Sequence, residues 1–166
     1  METVTLTVSD GTKMQAHVAR PEGKPEMGII VIQEAFGVTD YIRRMTERFA
    51  PMGYLAIAPE FFHRSAEPGT ELSYNDFPSV RPHFDALTTE GVEADLRAAY
   101  DWLVEQGVPK DKVAALGFCF GGRASFIANS ILPLACAVSF YGGGIDQLVD
   151  RAEKLSGPHP IVWGGK

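Results

Sequence analysis

The first residues alternate between apolar and polar side chains. Val4, Leu6 and Val8 share one face and threonines occupy the other, which is the period of a half-buried strand. The Asp10-Gly11 dipeptide that follows is a hairpin-turn signal. The pattern therefore predicts an antiparallel hairpin whose return strand covers residues 13–19.

From residue 28 onward the apolar residues come in continuous runs, which are typical of parallel strands buried on both faces. The predicted buried strands cover residues 29–32, 54–58, 113–116, 135–141 and 160–163. Amphipathic segments predicted as helices begin at Thr39 or Asp40, near Val92 and just after residue 119. Alternating strands and helices indicate a mostly parallel α/β sheet, in which ligands bind at the carboxyl ends of the strands.

Residues 60–87 carry several prolines and aromatics without a clear period. We expect a long connection there. Long connections in compact domains are often functional, so this one is expected to cover a site.

The strand predicted at 113–116 runs into the sequence Gly117-Phe118-Cys119-Phe120-Gly121-Gly122. This is the cysteine version of the nucleophile elbow, a turn so tight that its flanking positions must be glycine. The helix that follows directs free N–H groups at the central residue, which favours an oxyanion and lowers the thiol pKa. The alternative is a buried, inert cysteine. Cys136 lies within a predicted strand and is expected in the core.

A second signal follows the first buried strand, where Gln33 and Glu34 end an aliphatic run. A carboxylate at this ligand-binding edge is costly unless it has a partner. The alternative is a solvated loop acid.

Together these motifs resemble the dienelactone hydrolases. The matching residues are Gln33, Glu34, Phe36 and Gly37, then Gly53-Tyr54 and Pro59, the helix around 91–96, and the elbow with Gly117, Cys119, Gly121 and Gly122. The resemblance runs from about residue 3 to the C-terminus. It implies an α/β-hydrolase fold for a single domain over residues 1–166, the N-terminal two-thirds of such an enzyme, lacking the C-terminal strands and helix.

The resemblance also implies roles for site residues. Cys119 would attack an ester or dienelactone-like lactone, with the backbone N–H groups of Ala35 and Phe120 as the oxyanion hole. Glu34 would pair with the resting thiol and keep it neutral. Arg81 is the expected holder of a substrate carboxylate, with a surface arginine as the alternative; Arg64 is a weaker candidate.

The family's triad acid and histidine have no counterparts in this sequence, where residues 160–163 are followed only by Gly164-Gly165-Lys166. His63 and His83 lie in the long connection and His159 precedes its strand, so none is expected to replace the histidine. The alternative to an active hydrolase is thus a non-catalytic fragment or split subunit that needs a C-terminal fragment of the same protein. A redox protein using Cys119 is disfavoured because no resolving cysteine lies nearby.

The charge and hydrophobicity of the chain argue against some classes of binding partner. The formal net charge is −6, and no basic cluster suggests nucleic acid or an anionic membrane. No apolar run approaches a membrane span and the N-terminus lacks a signal-peptide pattern, so a cytoplasmic protein is expected. We expect a small-molecule substrate, no cofactor and no metal.

Overall fold

A computed structural model describes residues 1–165. The strands are β1 (Glu2–Thr7), β2 (Lys13–Ala19), β3 (Met27–Ile32), β4 (Tyr54–Pro59), β5 (Val113–Phe118), β6 (Cys136–Phe140) and β7 (Ile161–Val162). The α-helices are α1 (Asp40–Phe49), α2 (Phe77–Asp85), α3 (Thr89–Glu105) and α4 (Phe120–Ile131). Short 3₁₀ segments cover Ala50–Met52, Lys110–Lys112 and Ile145–Lys154.

The strands form one sheet in the order β1-β2-β4-β3-β5-β6-β7. β2 runs antiparallel to both β1 and β4, whereas β4, β3, β5, β6 and β7 run parallel to one another. The predicted parallel sheet with an antiparallel N-terminal hairpin is therefore confirmed.

Both faces of the sheet are covered, as the continuous apolar runs predict. In β3, Ile30 and Ile32 belong to a core cluster that also holds residues of α3 and α4. Ile29 and Val31 point the other way and pack with Ile42 of α1. Because helices cover both faces, the part of the sheet left open for a site is the edge at the carboxyl ends of β3, β5 and β6.

The connection after β4 contains a helix that the sequence did not reveal. In α2, Pro78 occupies the first turn, where a missing N–H costs little, and the Asp76 side chain accepts from the N–H of Ser79 at 3.4 Å. Pro82 lies inside the same helix. The two prolines made this segment look non-helical in the sequence, whereas the structure shows a helix that its cap and its packing stabilise.

β7 differs from the buried strand predicted at residues 160–163. It has two residues and pairs only with β6 in the part of the chain that the structure describes. Ile161, Val162 and Trp163 are 41%, 43% and 58% exposed. An apolar run alone does not reveal whether a strand has one neighbour or two.

Candidate active site

Cys119 lies at a strained bend between β5 and α4. Its backbone angles are φ 53° and ψ −116°, outside the regions that non-glycine residues favour. Such a conformation costs on the order of 1–3 kcal/mol and persists only where its surroundings impose it. The N–H of Cys119 donates to the carbonyl of Phe140 in β6 at 3.0 Å, which ties the bend to the sheet.

The glycines around Cys119 are required by close backbone contacts. A Cβ on Gly117 would overlap the Gly121 carbonyl, and a Cβ on Gly121 would lie 2.5 Å from the carbonyl oxygen of Gln33. A Cβ on Gly122 would lie 2.7 Å from the carbonyl oxygen of Phe140. The start of α4 therefore lies against the ends of β3 and β6, and the turn leaves no room for side chains at Gly117 and Gly121.

A cavity of ≈ 190 Å³ opens beside Cys119. Its polar lining residues are Cys119, Arg123, Thr88 and Thr89, and Phe120 begins α4 at the same place. Its apolar wall is formed by Phe84 of α2, Val92 of α3, Ile127 of α4, and Leu87 between α2 and α3. A thiol, a helix N-terminus and a cation therefore share one small, mostly apolar space.

The environment of Cys119 favours the neutral thiol. Burial raises the pKa of the Cys119 thiol and the charge of Glu34 raises it further, whereas the N–H of Phe120 opposes both. The net direction is upward, so the lowering expected from the helix N-terminus alone is outweighed. This direction favours the protonated thiol, and Glu34 contributes to it through its charge.

Glu34 is held by two tyrosines from distant segments. Tyr74 donates to Oε2 at 3.1 Å and Tyr141 donates to Oε1 at 3.4 Å. Burial and the Glu34 carboxylate raise the pKa of Tyr74, and they raise the pKa of Tyr141 to about 12. Both hydroxyls therefore stay protonated and keep donating to the carboxylate.

The arginine in the cavity is Arg123, and the structure does not bring Arg81 there. Arg81 lies on α2 with its side chain 76% exposed, and its Nε lies 3.3 Å from Asp85. Arg64 is also outside, because its guanidinium binds Asp95 and Asp10. Arg123 lies in the first turn of α4, which follows Cys119, and both residues line the cavity.

No histidine lines the cavity in residues 1–165. His63 is buried and its Nε2 lies 3.0 Å from Asp95, His83 lies 3.0 Å from Ser65, and His17 lies 3.0 Å from Glu60. His159 contacts Ser139 and Asn129. Each of these four histidines therefore contacts other residues, outside the cavity lining.

Within 1–165, no group of three or more histidine, cysteine, aspartate or glutamate side chains is placed to hold a metal ion. In the same range, no helix combines the length and the apolar character needed to cross a membrane.

Comparison with known proteins identifies the family. A family model described as "Dienelactone hydrolase family" matches residues 14–166. This chain belongs to the dienelactone hydrolase family. The elbow and the Gln33-Glu34 motif are therefore features of this dienelactone hydrolase family member, as their resemblance implied.

Individual relatives agree with the family. A protein of Escherichia coli K12 named "Putative carboxymethylenebutenolidase" is 34% identical over 174 residues, covering 98% of this chain and 63% of the relative. The carboxymethylenebutenolidase of Pseudomonas putida is 28% identical over 168 residues, covering 99% and 71%. The chain thus spans somewhat less than two-thirds of the length of the Escherichia coli relative.

Solved structures agree on the fold. The "Putative Dienelactone Hydrolase" of Klebsiella pneumoniae superposes with a TM-score of 0.79 at 31% identity, covering 98% of this chain and 71% of that one. The α/β-hydrolase fold inferred from the sequence is therefore confirmed.

Sequence reasoning missed three residues of this dienelactone hydrolase site. Arg123 lies in the first turn of the helix after the elbow, and its position in the cavity lining is seen only in the structure. Tyr74 and Tyr141 carried no sequence signal either. They lie 40 and 107 residues from Glu34, and only the folded chain brings them to it.

Proposed function

We propose that this chain hydrolyses a carboxylic ester or lactone, of a dienelactone-like kind, through an acyl-enzyme on Cys119. The observation that carries the proposal is the strained backbone of Cys119 at φ 53°, held beside a cavity at the start of a helix. Strain of this kind persists at sites where it serves a mechanism. Membership of the dienelactone hydrolase family supports the same reaction class.

The chemistry divides into two balanced steps. The Cys119 sulfur bonds to the carbonyl carbon and the carbonyl electron pair moves to oxygen; collapse of this oxyanion expels the alkoxide, which takes up the thiol proton. The result is a thioester and an alcohol, or an opened ring if the substrate is a lactone. Water then adds to the thioester, releasing the carboxylic acid and regenerating the thiol.

Main-chain donors at the site suit the oxyanion. The N–H of Phe120 opens α4 beside the sulfur, and the proposed second donor is the N–H of Ala35 just beyond β3. Removing one donor of an oxyanion hole typically costs about 2.7–4 kcal/mol of transition-state stabilisation. In this proposal Glu34 keeps the resting thiol neutral, and substrate binding relieves that effect.

Arg123 in the cavity lining indicates which class of substrate the site would bind. We infer that a carboxylate on the substrate binds Arg123, because guanidinium and carboxylate form strong charge-assisted pairs. The apolar wall of Phe84, Leu87 and Ile127 suits the carbon skeleton beside it. Arg81 does not line this cavity and cannot bind the carboxylate there.

A second candidate function is a thiol-bearing subunit whose turnover needs a general base from a separate chain segment. The absence of a histidine from the cavity lining in residues 1–165 favours it. In this case Cys119 still acylates, but the thioester accumulates because no group activates water.

One experiment separates these functions. The chain is mixed with an aryl ester or a small lactone bearing a carboxylate, and both product release and the mass of the protein are followed. Repeated turnover supports the hydrolase, and one acyl group retained on Cys119 supports the subunit. Cys119→Ala is expected to abolish both signals, whereas Cys136→Ser is the matched control and keeps them. Acylation that persists in Cys119→Ala contradicts both functions.

A further inference from the structure

We propose that Gln33 is a positioning residue for the oxyanion hole, because its side chain fixes the peptide group whose N–H belongs to Ala35. The inference rests on the proposed function, in which Ala35 is an oxyanion donor. It assigns to the buried glutamine a task that its place in the motif does not reveal.

The Gln33 amide is fully buried and both of its polar atoms are engaged. Its Oε1 accepts from the N–H of Phe61 at 3.0 Å, and its Nε2 donates to the carbonyl of Glu34 at 3.2 Å. A backbone N–H can only donate, so the first bond fixes which end of the amide is oxygen. The donor end therefore faces the Glu34 carbonyl.

Holding that carbonyl also holds the N–H of Ala35. The two belong to one planar peptide group, and in a trans peptide the C=O and the N–H point in opposite directions. No peptide bond in residues 1–165 is cis. The Gln33 side chain lies on the carbonyl side, so the Ala35 N–H is directed away from it. Within the same range, no main-chain carbonyl accepts from that N–H.

The two proposed donors differ in what secures them. Phe120 is the first residue of α4, so the helix sets the direction of its N–H. Ala35 lies in no helix or strand, because β3 ends at Ile32. A peptide group in a tight turn can rotate unless another group binds it. Gln33 supplies this restraint from the end of β3, where its own carbonyl contacts the elbow at Gly121.

Two reactions of Cys119 distinguish an effect on the position of the oxyanion donors from a general effect on the stability of the protein. Acylation by 4-nitrophenyl acetate forms a C–S bond and an oxyanion, which collapses to a thioester and expels 4-nitrophenolate. Alkylation by iodoacetamide forms a C–S bond at a saturated carbon and expels iodide, with no oxyanion. Both need the Cys119 thiolate, so the ratio of the two rate constants cancels its ionisation and reports the oxyanion donors.

The main variant is Gln33→Met, which keeps the shape of the side chain and removes both hydrogen bonds. We expect its ratio of acylation to alkylation to fall by about tenfold or more, up to the 10²–10³-fold effect of losing one donor. The matched control is Asn129→Leu. It removes another fully buried amide, which binds Gly157 and His159 on the far end of α4, and its ratio is expected to match the wild type.

Gln33→Glu provides a test by rescue. A protonated carboxyl at this position can accept from Phe61 and donate to Glu34, whereas a carboxylate can only accept. We therefore expect its ratio to approach the wild-type ratio at low pH and to fall as pH rises. Glu34, Glu60 and His63 surround this position, and dividing by the Gln33→Met ratio at each pH cancels their titration.

The outcomes are distinct. A wild-type ratio in folded Gln33→Met, or a Gln33→Glu ratio without pH dependence, overturns the positioning role and leaves the proposed function standing. A wild-type chain that alkylates at Cys119 but never acylates there overturns the proposed function and this inference with it. If Gln33→Met does not fold, the Gln33→Glu profile decides the question alone.

Discussion

The Tyr141 hydroxyl donates to Oε1 of Glu34 although 107 residues separate the two along the chain. Tyr141 follows β6 and has a positive φ of 40°, so it is a second non-glycine residue in an uncommon backbone conformation, like Cys119. Glu34 is therefore anchored from β6 as well as by Tyr74. This anchoring keeps a negative charge near Cys119.

Removing the Glu34 charge should make the thiol more acidic. We expect Glu34→Gln to lower the pKa of Cys119, so that alkylation by iodoacetamide becomes faster at any pH below that pKa. Burial remains, so the pKa stays above its ordinary value. The pH profile of alkylation measures the shift. Glu105→Gln, an exposed change on α3, serves as control, and an equal shift in both variants would rule out a local effect.

Arg123 should select for anionic substrates. We expect Arg123→Gln to weaken reaction with a carboxylate-bearing ester by about 10- to 100-fold, since a hydrogen bond to a charged group contributes about 1.5–3 kcal/mol. A neutral ester of similar size should react at nearly the wild-type rate. The measurement is the rate of Cys119 acylation by each ester. Arg81→Gln is the matched control, and a larger effect there than in Arg123→Gln would contradict the assignment.

The elbow should not tolerate a side chain at Gly121. A Cβ there meets the carbonyls of Ile32 and Gln33, so Gly121→Ala is expected to cost at least the 1–3 kcal/mol typical of overpacking. Denaturant unfolding measures this loss. Gly143→Ala is a suitable comparison, since its Cβ would meet nothing within 4 Å and should change stability little. Equal stability of the two variants would show that the elbow can relax.

His159 should make stability fall at mildly acidic pH. Asn129 Oδ1 accepts from the N–H of Gly157, so Nδ2 is the donor facing Nδ1 of His159, and the Nε2 proton donates to Ser139 at 2.7 Å. This arrangement needs a neutral ring, and burial lowers the pKa of His159 below its usual 6.5.

The sign of the pH effect follows from linkage. As pH drops below 6.5, the unfolded chain takes up a proton before the folded one, so the free energy of unfolding decreases. The loss should be smaller than the limiting slope of about 1.4 kcal/mol per pH unit, because the ring is only half-buried. Urea unfolding of the wild type and His159→Gln between about pH 7.5 and about pH 5.5 tests this. A wild-type slope no steeper than that of the variant would contradict it.

Much of the fold of this protein could be predicted from local sequence patterns. Continuous aliphatic runs such as residues 29–32 indicated strands buried on both faces, and glycines 117 and 121 indicated a turn with no room for side chains. These inferences succeeded because an apolar run and a glycine-flanked turn are recurrent patterns whose burial and tight backbone contacts can be recognised before the contacting segments are known. The order of the motifs indicated the family, and the same motifs placed Cys119 and Glu34 at the ends of strands.

The tertiary structure decided everything that depends on long-range proximity. The sequence could not show that Arg81 faces solvent while Arg123 lines the cavity, or that Tyr74 and Tyr141 bind Glu34. It could not show that Gln33 accepts from the N–H of Phe61 and donates to the carbonyl of Glu34. A side chain's type fixes which bonds it can form, but packing of distant segments alone selects the partner.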